Sequence, residues 1–289
     1  MKNYMLTGNP VKKSFTGLLI PAFLIISVLF STTSLAQGDL LLYPKRIVFE
    51  GTKRTQDLNL ANSGKDTARY ILSVVQIRMK EDGSFETITE PDSGQNFADK
   101  YFRIFPRNVV LPPNEAQTVK IQLINTGELL PGEYRSHLYV RAEAEKVPLG
   151  EKEIVKDSNS ISVKLVAVFG ISIPVIIRSG ENTSSVSISD VSFRQPKDTA
   201  ASVKFAFNRL GNMSVYGDLA VDYISPEGKT TRVGKVTGLA VYTPTPKRYF
   251  TLALNQVPGV DFHKGSLHVS FHYDAPKAEK LAEESIVLR

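Results

Sequence analysis

The chain of 289 residues contains no cysteine. Disulfides, thiolate nucleophiles and Cys-based metal sites are thereby excluded, and the fold must stand on its hydrophobic core. Histidine is scarce: His137, His263, His268 and His272 are the only four. The sequence holds no G-x-S-x-G elbow, no Gly-rich phosphate loop and no H-E-x-x-H. A Ser/His/Asp triad assembled from distant positions is the one hydrolytic arrangement left open. His268 and His272 share a strand face with Ser270 between them. No Cys or paired acid completes a ligand set there, so we read them as polar residues on a solvated face. No catalytic residue, metal, cofactor or small-molecule substrate is expected. Clusters of Lys or Arg interleaved with aromatics are also missing, which argues against nucleic acid.

What is present begins with an export signal. Lys2, Lys12 and Lys13 form a basic stretch, residues 18–30 are apolar, and Ser34-Leu35-Ala36 offers small residues at the positions a signal peptidase reads. The apolar run is short for a membrane span and holds Pro21. Residues 1–36 are therefore expected to be removed, with no Cys behind them to carry a lipid. The full chain has 35 Lys+Arg against 29 Asp+Glu, and the signal takes away three Lys and no acid, leaving 32 against 29. The mature chain is thus far less basic than the whole. No later apolar run is long enough to cross a bilayer, so a soluble periplasmic protein without a membrane anchor is expected.

The remainder alternates between apolar and polar in short runs broken by turn chemistry. Strands are expected over 40–50, 55–62, 68–79, 84–89, 101–105, 117–124, 134–142 and 161–177. Asn62-Ser63-Gly64, Glu81-Asp82-Gly83 and Asn125-Thr126-Gly127 separate them. Residues 143–160 are polar and aperiodic, and read as a long loop. Arg178-Ser179-Gly180-Glu181-Asn182 reads as a hinge. A second series follows over 186–193, 201–208, 214–225, 230–236, 249–254, 267–273 and 285–288. The fold class is all-β, two immunoglobulin-like sandwiches in tandem, with domains 37–178 and 179–289 after the signal peptide. Asp66-Thr67-Ala68 and Asp198-Thr199-Ala200 repeat one triplet, which good turn chemistry accounts for.

Residues 161–174, ISVKLVAVFGISIP, are the most informative stretch. Ile161, Val163, Leu165, Ala167, Phe169, Ile171 and Ile173 place every odd side chain on one apolar face. A run this long exceeds an ordinary strand. Taken alone it reads as a core strand, with strand addition to a partner's sheet as the alternative.

Several segments resemble the PapD-like periplasmic pilus chaperones. The stretch from Tyr43 to Gly51 (YPKRIVFEG) is similar to that family's opening strand, and Asp57-Leu58-Asn59-Leu60-Ala61-Asn62 to the strand after it. Phe105-Pro106 through Thr118, with Leu111-Pro112-Pro113-Asn114, resembles its proline-rich turn into a long strand. Leu130-Pro131-Gly132-Glu133-Tyr134-Arg135-Ser136 resembles its Leu-Pro-x-x-x-Glu-Ser segment, with Arg135 at the usual Glu. The resemblance implies a non-enzymatic chaperone that lends its last first-domain strand to a pilin-like subunit lacking one, with an outer-membrane usher as further partner. Ile161, Val163, Leu165 and Ala167 fall on the inserting positions. Arg46 falls on the arginine that grips the subunit's C-terminal carboxylate. The lysine that assists it falls on Ser172, which supplies no charge. With the resemblance, the donor reading of residues 161–173 is the one adopted. The competing class is a structural or adhesive envelope protein that uses its sandwiches as binding modules.

The export reading predicts a mature N-terminus at Gln37. N-terminal sequencing of the exported protein checks it, and an intact Met1 on a membrane-bound species contradicts it.

Overall fold

The computed structural model describes residues 40–143, 169–197, 199–273 and 279–288. The expected signal peptide, most of the 143–160 loop, and Ile161, Val163, Leu165 and Ala167 lie outside the described residues. Among the described residues there is no α-helix, and two short 3-10 turns, Asp99–Tyr101 and Thr126–Glu128, interrupt the strands.

Ten strands build the first sandwich: β1 (Leu40–Tyr43), β2 (Ile47–Phe49), β3 (Thr55–Asn62), β4 (Ala68–Met79), β5 (Phe85–Ile88), β6 (Phe102–Phe105), β7 (Asn108–Leu111), β8 (Ala116–Leu123), β9 (Gly132–Ala142) and β10 (Gly170–Ser179). One sheet runs β1-β3-β8-β6. The other runs β2-β10-β9-β4, and the far edge of β4 is shared by β7 along residues 68–71 and by β5 along residues 76–79. Alternation decides which side chains meet between the sheets. Leu58 and Leu60 of β3, Val119 and Ile121 of β8, Leu138 and Val140 of β9, and Val175 and Ile177 of β10 all turn inward. Lys120 and Gln122 of β8 are exposed.

The turn chemistry has identifiable work. Buried Asn62 donates from Nδ2 to the carbonyls of Asp66 (2.8 Å) and Leu111 (3.0 Å) and accepts from the Gly64 N–H (2.9 Å). One side chain thus fastens the Asn62-Ser63-Gly64 turn to the end of β7.

Gly180, at φ 76°, ends β10 in a left-handed conformation that suits glycine, and the chain enters the second sandwich there. Its strands are β11 (Ser185–Arg194), β12 (Ser202–Leu210), β13 (Val215–Ile224), β14 (Thr230–Val241), β15 (Lys247–Ala253), β16 (Ser266–Tyr273) and β17 (Lys280–Val287). A sheet β11-β12-β15 faces a sheet β14-β13-β16-β17. Phe205 and Phe207 of β12 and Phe271 of β16 anchor the core between them, with the Phe207 and Phe271 ring centroids 4.9 Å apart.

Two tandem immunoglobulin-like sandwiches are thus the fold. Two local readings need correction. Residues 40–50 are not one strand: Leu40–Tyr43 pairs with β3 in one sheet and Ile47–Phe49 with β10 in the other. Pro44-Lys45-Arg46 carry the chain from one sheet to the other between two apolar runs, and periodicity does not register a change of sheet. Strand β7 is not expected from the sequence, because Asn108–Leu111 is short and follows Phe105-Pro106-Arg107.

Candidate functional site

The edge of β10 comes first. β2 pairs with it in parallel only at Val175, Ile176 and Ile177, while β9 pairs with it along all ten residues. Residues 170–174 therefore have no strand on their outer side among the described residues. The cause is the crossing at 44–46, which brings the chain into this sheet too late to cover them. Pro174, which has no N–H to offer, sits on this open side, where proline is tolerated. Phe169 and Ile171 continue the odd, apolar face of Ile173, yet they are 57% and 39% exposed where Ile173 is 3%. The face that fills the core farther along thus emerges from the sandwich here.

The other face of the same sheet meets the second sandwich. Ile176 of β10 and Met79 of β4 are buried against Ala240 and Tyr242, with Val48 and Tyr216 packed beside them. Tyr242 opens the loop that leaves β14, and this loop makes several of the polar contacts across the junction. Thr245 Oγ1 donates to the Met79 carbonyl (2.6 Å), and Arg135 Nη2 donates to the Thr243 carbonyl (3.2 Å). The β4–β5 turn adds a backbone bond, Tyr249 N–H to the Glu81 carbonyl (2.6 Å).

Glu133 lies at the centre with a fully buried side chain. Its Oε2 accepts from the Ser214 N–H (2.9 Å), the Ser214 hydroxyl (2.6 Å) and Arg178 Nε (3.4 Å). Arg178 Nη2 continues to the Ser214 carbonyl (2.8 Å). Two further arginines press on aromatic rings. The Arg46 guanidinium is 4.2 Å from the Tyr216 ring centroid and 5.9 Å from that of Tyr242, and the Arg135 guanidinium is 4.5 Å from Tyr242. Such stacking compensates in part for lost hydration of a cation. Nε and Nη1 of both arginines are nevertheless buried with no hydrogen-bond partner among the described residues. Burial holds both guanidinium groups below their ordinary pKa and pushes the Tyr242 phenol above its own. His137, one strand position beyond on β9, is buried between Phe85 and Tyr242. Burial first, and the charge of Arg135 second, lower its pKa from 6.5 to about 3.

Of the residues expected at the site, Arg46 is in the junction and Ser172 is on β10, exposed and opposite Tyr139. No hydrogen bond joins these two among the described residues, and Arg46 meets Tyr216 and Tyr242 instead. His268 on β16 pairs with Ser285 (3.0 Å) and Glu283 (3.3 Å) at the far edge of the second sandwich. No three His, Asp or Glu side chains converge as a metal set among the described residues. Glu133, Arg178 and Tyr242 are junction residues that the sequence does not single out. One signal was available: Glu133, Arg135 and His137 place large polar groups on every second position of a strand whose other face carries Tyr134, Ser136, Leu138 and Val140.

No family model matches the chain, and no curated protein matches it. Among solved structures, the chain is similar to fimbrial chaperones. A class 5 fimbriae chaperone, CfaA, aligns at 12% identity and TM-score 0.41, covering 86% of this chain and 99% of that one. The CsuC–CsuE chaperone–tip adhesion subunit pre-assembly complex of Acinetobacter baumannii aligns at 12% identity and TM-score 0.41, covering 86% and 97%. The Salmonella enterica SafA pilin in complex with the SafB chaperone aligns at 15% identity and TM-score 0.39, covering 86% and 96%.

Two outcomes follow from the junction. Glu133→Ala strands the Arg178 charge and the Ser214 donors in a dry site, and such losses cost about 3–5 kcal/mol. Urea unfolding should show that loss, and a change below about 1 kcal/mol contradicts the network. For His137 the folded pKa, about 3, lies below the unfolded value of 6.5. Between those values the unfolded chain binds the proton and the folded one does not, so stability is complete above pH 6.5 and falls as pH drops toward 3. From pH 7 to pH 5 this group alone removes about 2 kcal/mol. Urea unfolding of His137→Gln at the two pH values should show a pH loss smaller by that amount.

Proposed function

We propose that the protein is a non-enzymatic periplasmic chaperone that stabilises secreted, pilin-like fibre subunits by lending them a β-strand. The observation that carries this reading is the edge of β10, where residues 170–174 have no outer neighbour among the described residues and Phe169 and Ile171 emerge from the core into solvent. An unpaired, apolar edge invites another chain, and strand addition uses both of its assets. Main-chain hydrogen bonds would supply affinity, and alternate side chains filling a groove would supply fit. Upstream of this edge, the odd face continues in the sequence through Ile161, Val163, Leu165 and Ala167. In this reading those four side chains enter the subunit's groove. The client runs past the junction, where Arg46 and, at the strand, Ser172 face it.

The exported protein in this reading comprises residues 37–178 and 179–289 as two domains, freed from a signal peptide at 1–36. The first domain carries the donated strand, and the second, through the Tyr242 loop, walls the other side of the groove. An outer-membrane usher would receive the loaded subunit.

The test separates lending a strand from serving the protein's own core. Leu165→Glu puts an unpaired charge where an apolar groove is to be filled, at a cost of several kcal/mol, enough to abolish most complexes. Co-purification with each exported fibre subunit encoded beside the gene should be lost while the melting temperature of the free protein stays near wild type. A collapsed melting transition, or client recovered at wild-type yield, contradicts the reading.

A further inference from the structure

The crossing at residues 44–46 opens a second gap, in the β1-β3-β8-β6 sheet. β1 pairs with β3 only from Asn59 to Asn62. Thr55, Gln56, Asp57 and Leu58 of β3 therefore have no strand on that side among the described residues. Gln56 Nε2 reaches across and donates to the Val48 carbonyl (3.0 Å). The gap leaves a recess of about 540 Å³, lined among others by Tyr43, Thr55, Asp57, Asn59 and Lys120.

Alternation sets what the recess presents. Leu40 and Leu42 pack against the core, so Tyr43 belongs to the outer face, with the exposed Asp57 and Asn59 of β3 and the exposed Thr118 and Lys120 of β8. The register puts Tyr43 beside Asn59 and Thr118, and Asp57 beside Lys120 and then Phe105. Tyr43 and Phe105 are 73% and 77% exposed. They stand on opposite edges of the sheet, three strand spacings or roughly 14 Å apart. Between the two rings lie polar groups that the protein leaves unspent. Asp57 and Lys120 face each other without an ion pair among the described residues. Thr118 Oγ1 donates to Asn59 Oδ1 (2.7 Å), which orients that amide and leaves its Nδ2 donors without a partner among the described residues.

Two bare rings with a polar strip between them narrow the ligand. The core of a protein contact is apolar and poor in charge, whereas these rings are kept apart by a carboxylate, an ammonium and an amide. Asp57 answers the charge of Lys120, so the strip is not the basic stripe that a phosphate chain requires. A pyranose satisfies both parts: its C–H face lies on an aromatic ring, and its hydroxyls both donate and accept. Asp57 only accepts, Lys120 only donates and Asn59 donates from Nδ2, so hydroxyls can serve all three. Equatorial linkages hold successive sugars in a flat ribbon that suits a sheet face, whereas axial linkages curl the chain.

We propose that this recess binds an equatorially linked glycan chain, with Tyr43 and Phe105 stacking on sugar faces at its two ends and Asp57, Asn59 and Lys120 bonding the hydroxyls between them. The site goes beyond the chaperone reading and does not rest on it, since the strand-lending edge belongs to the other sheet.

The probes are chitotriose and cellotriose, both equatorially linked, with maltotriose as the axially linked control. The readouts are the Asn59 side-chain amide and Phe105 ring resonances, in wild type, Tyr43→Ala, Phe105→Ala, Asp57→Ala and Lys120→Ala. All four side chains are exposed, so the variants should melt near the wild-type temperature. At least one of the two equatorial sugars should shift both sets of signals saturably, and maltotriose should bind about tenfold more weakly or not at all. Tyr43→Ala and Asp57→Ala should each weaken binding about tenfold. A response to chitotriose alone supports the site and assigns an N-acetylated chain, and an equal response to cellotriose supports it and assigns the shared backbone. No saturable shift with either sugar in wild type overturns the site. Equal binding of maltotriose overturns the flat-ribbon ligand, and full binding by both Tyr43→Ala and Asp57→Ala overturns the placement. An exported fibre subunit that shifts these signals when no sugar does assigns the face to a protein and overturns the glycan. The sugar titrations contain no client, so their failure leaves the strand-lending test standing, and the reverse also holds.

Discussion

The crossing of the chain between sheets at residues 44–46 sets up everything that follows. By leaving the β1 sheet late and joining β10 for only three residues, it covers the core end of that strand and leaves Gly170 to Pro174 without an outer neighbour among the described residues. The same three residues deliver Arg46 to the face that meets the second sandwich. An open edge and a buried cation are each liabilities in isolation.

The junction is held by chemistry more than by area. Its apolar part is small, consisting of Met79, Ile176, Ala240 and Tyr242 with Val48 and Tyr216 beside them. Orientation is fixed instead by Glu133 with Ser214 and Arg178, by Thr245 on the Met79 carbonyl, and by Arg135 on that of Thr243. Such networks are directional, so they define an angle that greasy contact would leave loose. They also make that angle sensitive to charge, because removing one member strands the others in a dry site.

The architecture was legible because alternation and turn chemistry are strong signals in short strands. β3, β4, β8 and β9 came out within a residue or two, since Leu58, Leu60, Val119, Ile121, Leu138 and Val140 alternate without interruption. What failed was whatever depends on the partner of a strand. Nothing in Leu40 to Phe49 says that its halves belong to different sheets, and β7 is too short to show a period. The site divides the same way. Arg46 is singled out only through resemblance, whereas Tyr242 and Thr243 matter only because a loop of the second sandwich reaches the first, a contact separated by more than one hundred residues. Arg135 was visible as a departure at a familiar motif, yet its burial and missing acceptors belong to the tertiary structure.

Hydrogen–deuterium exchange on the protein with and without a candidate fibre subunit tests the central claim most directly. Strand lending predicts that amides within residues 161–174 gain strong protection on binding, in alternation along the outward side of the strand, while the second-sandwich core around Phe207 and Phe271 stays unchanged. A complex that forms without added protection in residues 161–174 would contradict the account.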